Sequence, residues 1–193
     1  SCGHSVGEYS ALYAAGALSL ESLFEAIHFR AKVMHEISRL HKGEMAAVKG
    51  IDALRLRELI DHAGLLVDIS CDNSPKQQVI GGASAPLRDF SRLLLEKGLE
   101  PVKLGVSGAW HTRLMTEGVA LMRDYLAGVD VTPPRHAVVM NVSGKAEYDP
   151  EQIKENLARH LTHTVKWRDS IDGWLIHKPE VQFVEISNKA YLA

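Results

Sequence analysis

The chain has 193 residues, 46% of them apolar and 24% charged, a balance typical of a globular domain with a hydrophobic core. Its formal net charge of −2 disfavours a nucleic-acid partner, and no apolar run approaches the ~18 residues of a membrane-spanning helix. Two distant cysteines, Cys2 and Cys71, disfavour a disulfide framework and favour a reducing compartment, so we expect a cytoplasmic location.

The N-terminal part of the chain predicts two helices. The first covers 6–15 and ends at Gly16, because glycine readily takes the left-handed conformation that closes a helix. Ser19 is a good N-cap for the second helix, over 20–40. Arg30 falls on the apolar stripe of this second helix, where a charged side chain needs a partner.

In the middle of the chain, helical patterns alternate with short apolar runs typical of strands. We predict strands at 44–49, 65–71, 77–81 and 102–106, helices at 52–63 and 86–97, and a turn at 72–75. The resulting order is β-α-β-β-α-β, which predicts a ferredoxin-like subdomain over 44–106.

The remaining segments predict an α/β parent domain made of 1–43 and 107–193. After the insert we expect a helix at 113–127, a strand at 137–142, helices at 150–161 and 167–177, and a strand at 181–186. No strand pattern precedes the first helix, so we expect the N-terminal strands of this domain to be missing from the chain.

The run Gly3-His4-Ser5-Val6-Gly7 fits the G-x-S-x-G pattern of a nucleophile elbow. In such a turn the serine hydroxyl stands exposed, and the amide of the next residue, here Val6, can hold a developing oxyanion. The pattern has only three fixed positions, so a glycine-rich turn without catalytic function is an equal alternative on these residues alone.

A longer set of motifs resembles the malonyl-CoA:acyl-carrier-protein transacylases and the acyltransferase domains of polyketide synthases. Residues Gly3–Leu12 with Ala15-Gly16 are similar to the family's GHSxGExxAL…AG motif. Further segments match in order: Arg30–Met34 (R-x-x-x-M), Asn73–Gly82 (N-x-P-x-Q-x-V-I-x-G), Gly108–Met115 (G-A-F-H-S-x-L-M), Asn141-Val142 (N-V) and Val165–Trp167 (P-V-x-W). The resemblance covers nearly the whole chain and implies an α/β-hydrolase-like core, a parallel sheet with flanking helices, carrying a ferredoxin-like insert.

The resemblance also implies roles for individual residues. Ser5 would be the nucleophile, His111 its general base, and the Val6 amide an oxyanion donor. The family orients its histidine through a backbone carbonyl, usually of a glutamine, and His160 stands at that place here. On residue type alone, each histidine is more often a surface or core residue than a base.

Three further residues would define the substrate. Arg30 would grip the free carboxylate of malonate with its planar guanidinium, although a structural ion pair is the alternative on periodicity alone. Trp110 would crowd an α-methyl branch and so favour malonyl over methylmalonyl, and His4 would line the same acyl pocket, with simple packing as the alternative.

The implied reaction is a ping-pong transfer of malonyl from malonyl-CoA to the phosphopantetheine thiol of an acyl carrier protein. It requires no metal and no cofactor besides the malonyl-CoA substrate, and we expect a monomer unless the chain is part of a larger synthase. An acyl-thioester hydrolase with the same elbow, a polyketide synthase acyltransferase domain, and a docking module without turnover remain alternatives.

Overall fold

The computed structural model describes residues 1–177 and 180–187. The described helices are α1 (Gly7–Ala14), α2 (Leu20–Leu40), α3 (Ala53–Ala63), α4 (Ser84–Glu96), α5 (Thr116–Ala127), α6 (Pro150–Arg159) and α7 (Trp167–His177). The described strands are β1 (Gly43–Lys49), β2 (Val67–Ser74), β3 (Gln77–Ala83), β4 (Val102–Lys103), β5 (Val138–Met140) and β6 (Lys145–Glu147). None of the described helices is long and apolar enough to cross a membrane.

Side chains and glycines fix the helix ends. The Ser19 hydroxyl accepts a hydrogen bond from the Ser22 amide at 3.0 Å, which confirms the predicted cap of α2. Asp52 caps α3, and Gly64 ends it in the left-handed conformation at φ 62°. Asp149 caps α6 directly before a proline in its first turn.

A four-stranded antiparallel sheet occupies the middle of the chain, with strand order β2-β3-β1-β4. Along the chain its elements follow as β1-α3-β2-β3-α4-β4. Apolar side chains of the sheet and of α3 and α4 form one cluster, here called the sheet core. Its buried members are Ala46, Val48, Ile51, Leu56, Ile60, Val67, Ile69, Ile80, Leu87, Phe90 and Leu94.

A second cluster, the helical core, gathers buried side chains from α1, α2, α5, α6 and β5, among them Tyr9, Leu12, Val33, Met115, Met122, Met140 and Leu157. A small junction cluster of Met45, Cys71, Val79 and Val165 connects the two cores. At this junction the Val165 amide donates to the Ser70 carbonyl and the Asp72 amide donates to the Val165 carbonyl, each at 2.9 Å. The α6–α7 connection is thereby fastened to the edge of the sheet.

Several predicted boundaries are wrong, each for a local reason. Strand β2 does not stop for a turn at 72–75 but continues to Ser74, because a bulge lets it stay paired with β3. Strand β4 ends at Lys103, having paired with β1 over only two residues. The predicted helix over 113–127 begins with a 3-10 turn at Arg113–Met115.

The strand predicted at 181–186 is also wrong. These residues form no strand, and Phe183, Val184 and Ile186 are exposed. An apolar run becomes a strand only beside a hydrogen-bonding neighbour, and none of the described residues supplies one here. Within the described residues, parallel pairing is limited to two isolated bridges, Cys2 with Val139 of β5 and Cys71 with Val165 at the junction.

Candidate active site

The predicted nucleophile lies in a sharp turn that leads into α1. Ser5 has a left-handed backbone with φ 52°, and the Gly7 amide donates to the His4 carbonyl at 2.9 Å to close the turn. A Cβ atom on Gly3 would lie 1.9 Å from the Gly7 carbonyl oxygen, so only glycine fits there. A Cβ on Gly7 would meet nothing within 4 Å, so close packing requires only the first glycine of the motif.

A hydrogen-bonded chain joins Ser5 to His111 and His160. The Ser5 hydroxyl lies 2.8 Å from His111 Nε2, and His111 Nδ1 lies 2.7 Å from the backbone carbonyl oxygen of His160. Because a carbonyl only accepts, Nδ1 carries the proton and Nε2 is free to accept from the serine. Burial lowers the pKa of His111 well below its usual value, helped by His160 and Arg30, so the ring is neutral at pH 7.

Arg30 reaches the same hydroxyl from α2. Its Nη2 donates to Ser5 Oγ at 3.1 Å, and its side chain is buried, with the Tyr9 ring 6.0 Å from the guanidinium carbon. Burial lowers the pKa of Arg30, but a guanidinium stays charged. Within the described part of the chain Arg30 forms no ion pair, and its Nε has no hydrogen-bond partner. A buried cation therefore lies next to the predicted nucleophile with its charge uncompensated.

The other predicted residues surround this group at different distances. The Val6 amide makes no hydrogen bond to another described residue and follows Ser5 directly. His4 Nε2 lies 2.9 Å from Asn73 Oδ1, and its ring is tilted against Trp167 at 5.6 Å. Trp110 is half-buried and packs between the helical core and the junction cluster. Ser5, His111, Arg30 and the His160 carbonyl are thus the predicted groups that lie in contact.

Asn141 is a site residue whose role the sequence does not reveal. Its Oδ1 accepts from the Ser5 amide at 2.8 Å, and its Nδ2 donates to the Gly3 carbonyl at 2.7 Å. The backbone amide of Asn141 donates to Glu8 Oε1 at 2.5 Å. The available signals were the N-V motif and the position directly after a buried apolar strand, but only the folded chain brings Asn141 to the serine turn.

Glu8 and His160 form a buried contact behind the predicted catalytic groups. Glu8 Oε2 and His160 Nδ1 lie 3.0 Å apart, both side chains are fully buried, and the contact lacks the direction of a linear hydrogen bond. The distance alone fits an ion pair, but burial raises the pKa of Glu8 to about 8 and lowers that of His160 well below its usual value. Burial penalises both charged forms, so we take the pair as neutral at pH 7.

Comparisons with known proteins place the chain among acyltransferases. Residues 2–193 match the family described as the acyl transferase domain. A malonyl CoA-acyl carrier protein transacylase of Bacillus subtilis is 35% identical over 188 residues, which cover 95% of this chain and 59% of the relative. The polyketide biosynthesis malonyl CoA-acyl carrier protein transacylase PksC of the same organism is 34% identical over 95% of this chain and 63% of its own length.

Solved structures agree with these relatives. The crystal structure of an acyl-carrier-protein S-malonyltransferase from Burkholderia pseudomallei matches with a TM-score of 0.87 at 34% identity. The match covers 91% of this chain and 58% of that one, and it establishes an α/β fold of the acyltransferase type. The chain thus spans about three fifths of the length of these relatives.

Proposed function

Because this chain belongs to the acyl transferase domain family, we propose that it moves a malonyl group from malonyl-CoA to an acyl carrier protein through an ester on Ser5. The observation that carries the proposal is the buried Arg30 guanidinium, 3.1 Å from the nucleophile and without a carboxylate partner among the described residues. The names of the transacylase relatives supply the two proposed partners, malonyl-CoA and the carrier protein.

The first half-reaction acylates the serine. Ser5 Oγ attacks the thioester carbonyl of malonyl-CoA while its proton passes to His111 Nε2, 2.8 Å away. The carbonyl oxygen becomes an oxyanion that the free Val6 amide can bind. The carbon–sulfur bond then breaks, and coenzyme A leaves as the thiol after receiving the proton from His111.

The second half-reaction runs the same steps with another thiol. The phosphopantetheine thiol of the carrier protein gives its proton to His111 and attacks the malonyl-serine carbonyl. The bond to Ser5 Oγ breaks, and the proton returns to the serine. Because only proton transfer and ester exchange are needed, the proposal invokes no metal or redox cofactor.

Substrate choice would follow from the charge of Arg30. A malonyl carboxylate can accept two parallel hydrogen bonds from the guanidinium and neutralise it, whereas an acetyl group would leave the buried cation unpaired. Trp110 and His4 would bound the acyl pocket. The bulk of Trp110 would disfavour a methyl branch by about 1–3 kcal/mol, the usual scale for one methyl group.

A polyketide synthase context is the second candidate, favoured by the 34% identity to PksC. The chemistry at Ser5 is the same in both cases, and only the carrier protein differs. A thioester hydrolase would use the same dyad with water as acceptor, but it would gain nothing from a buried guanidinium at the acyl site.

Intact-mass measurement after brief exposure to malonyl-CoA tests the proposal. We expect a mass increase of one malonyl group, located by peptide mapping on Ser5 and absent from the Ser5→Ala protein. Addition of an acyl carrier protein should then remove the label and load the carrier thiol. Release of free malonate at one rate with and without carrier would identify a hydrolase, and absence of the adduct would refute acyl transfer.

We propose a finer architecture for the chain as well. The strand order β2-β3-β1-β4, with helices α3 and α4 connecting the strands, supports a ferredoxin-like subdomain over 44–106. Residues 1–43 and 107–193 would then form the α/β-hydrolase-like core. A monomeric state and a cytoplasmic location stay predictions, the first testable by light scattering and the second by fractionation of the producing cells.

A further inference from the structure

We propose that Glu8 is a positioning residue that connects the nucleophile turn to the general base. On one side it holds Asn141, which fixes the Ser5 backbone, and on the other it contacts His160, whose carbonyl orients His111. This role rests on the proposed function, because it concerns the reactivity of the same serine.

The nucleophile side of the connection is fully hydrogen-bonded. Glu8 Oε1 accepts from the Asn141 amide at 2.5 Å, and the Asn141 side chain holds both the Ser5 amide and the Gly3 carbonyl. These contacts span the strained turn from both ends. Since Ser5 sits at φ 52°, a strained conformation for a residue with a side chain, such a turn persists only when its surroundings fix it.

The base side of the connection passes through His160. Glu8 Oε2 lies 3.0 Å from His160 Nδ1, and the carbonyl of the same residue accepts from His111 Nδ1 at 2.7 Å. His111 is the second described non-glycine residue with a left-handed backbone, at φ 60°. The contacts therefore form a closed circuit from Ser5 through Asn141, Glu8, His160 and His111 back to Ser5.

These contacts depend on the protonation state of Glu8. The titratable groups that face it are Arg30 from α2, Tyr9 on α1 and His160 after α6, with His111 behind His160. A neutral carboxyl can accept from the Asn141 backbone amide through Oε1 and pack its Oε2 against His160 without a charge that Arg30 would attract. A carboxylate would attract the Arg30 guanidinium that the malonyl group needs.

The experiment compares Glu8→Ala and Glu8→Gln with the wild-type protein by two readouts. One is the rate at which a fluorophosphonate labels Ser5, which needs no acyl substrate, and the other is kcat and KM for malonyl transfer. Both are measured across the pH range around 8. Leu94→Ala is the matched control, because Leu94 is equally buried but lies in the sheet core.

We expect Glu8→Ala to lower kcat and the labelling rate about 10- to 100-fold with KM within about 2-fold, as small misplacements of reacting groups do. Glu8→Gln, a neutral side chain of the same shape that can still accept from the Asn141 backbone amide, should recover most of this loss. The wild-type rate should fall as Glu8 ionises, with a midpoint set by its pKa of about 8, and the glutamine variant should lack that fall. Leu94→Ala should leave both rates of the folded protein unchanged.

Labelling and kcat of Glu8→Ala within about 3-fold of wild type would overturn the positioning role. An alkaline fall that persists in Glu8→Gln would also overturn it, and this measurement decides if the alanine variant does not fold. Failure of the proposed function looks different. The wild-type protein would then take up no malonyl, while fluorophosphonate labelling of Ser5 would still depend on Glu8.

Discussion

The sheet core and the active-site side of the molecule are built on opposite principles. Between the sheet and helices α3 and α4 the packed side chains are apolar, with Leu56, Ile80 and Leu94 completely buried. Next to the helical core, by contrast, the chain buries Glu8 and Arg30 together with two histidines. Apolar burial stabilises a fold, whereas buried ionisable groups cost free energy unless they are paired. The two regions therefore divide stability and chemistry between them.

The two regions also differ in which residues adopt a left-handed backbone conformation. In the sheet region the left-handed positions are glycines, namely Gly50, Gly64 and Gly98, which adopt this conformation without strain. The non-glycine residues in that conformation, within the described part of the chain, are Ser5 and His111. Strain thus coincides with the two groups that would exchange a proton, as expected for residues held in place for function.

The largest effect is expected from His111→Asn, which tests whether the active-site side can lose its activity while the fold persists. Asparagine tolerates the left-handed backbone at φ 60° but cannot take the serine proton, so the fold should persist while catalysis fails. We expect kcat/KM for malonyl transfer to fall about 10³-fold or more, measured by carrier-protein loading. Circular dichroism provides the control for folding. Activity within about 10-fold of wild type would show that His111 is not the base.

Leu94→Ala is the reverse case. Removing a completely buried side chain from the sheet core should lower the free energy of unfolding by about 3 kcal/mol, because a cavity is left behind. The kcat/KM of the folded protein should stay within about 2-fold of wild type. Urea denaturation and initial rates at low temperature measure the two quantities. A large loss of kcat with little loss of stability would show that the regions are not independent.

Arg30→Gln should separate stability from function within a single residue. Loss of the buried guanidinium should lower kcat/KM for malonyl-CoA about 100-fold, a loss typical when one partner of a buried charge pair is removed. The rate with acetyl-CoA, which has no second carboxylate, should change much less. The free energy of unfolding should rise by about 1 kcal/mol, because an uncompensated buried charge disappears. Equal losses with both substrates would exclude carboxylate recognition.

The comparison also explains what the sequence could predict. Local signals are strong wherever a single segment decides the outcome, as in the Ser19 cap of α2 and the Gly64 end of α3. The motif resemblance indicates Ser5, His111 and Arg30, and the fold brings them together. The strand expected at 181–186 is wrong because periodicity cannot tell whether a neighbouring strand is present.

The contacts behind the site lie beyond sequence reasoning. Glu8 and Asn141 each lie in a motif of the resemblance, but no motif indicates that the two residues meet, 133 positions apart. Asn73 reaches His4 because the end of β2 continues past an irregularity in its pairing with β3, which no turn signal announces. Such residues belong to no periodic face. Their role is set by where distant segments cross, and only the tertiary structure supplies that information.

The smallest expected effect concerns how the free energy of unfolding depends on pH through the buried His160 on the active-site side. Burial lowers the pKa of His160 in the folded chain. In the unfolded chain a histidine has its ordinary pKa of ~6.5, so between pH 7.5 and 5.5 the unfolded chain binds a proton that the folded chain does not. More protons bound in the unfolded state mean that stability falls as pH falls through this window. His160→Gln should remove about 1 kcal/mol of that fall, measured as the change in urea unfolding free energy between the two pH values.

The matched control for this measurement is His28→Gln, because His28 lies exposed on α2. The carbonyl of residue 160 persists in His160→Gln, so His111 should keep its orientation and the variant its dyad. Identical pH slopes for wild type and His160→Gln would mean that the buried imidazole accepts a proton in the fold. Glu8 would then be its ionised partner, and the two buried groups would form an ion pair instead of a neutral contact.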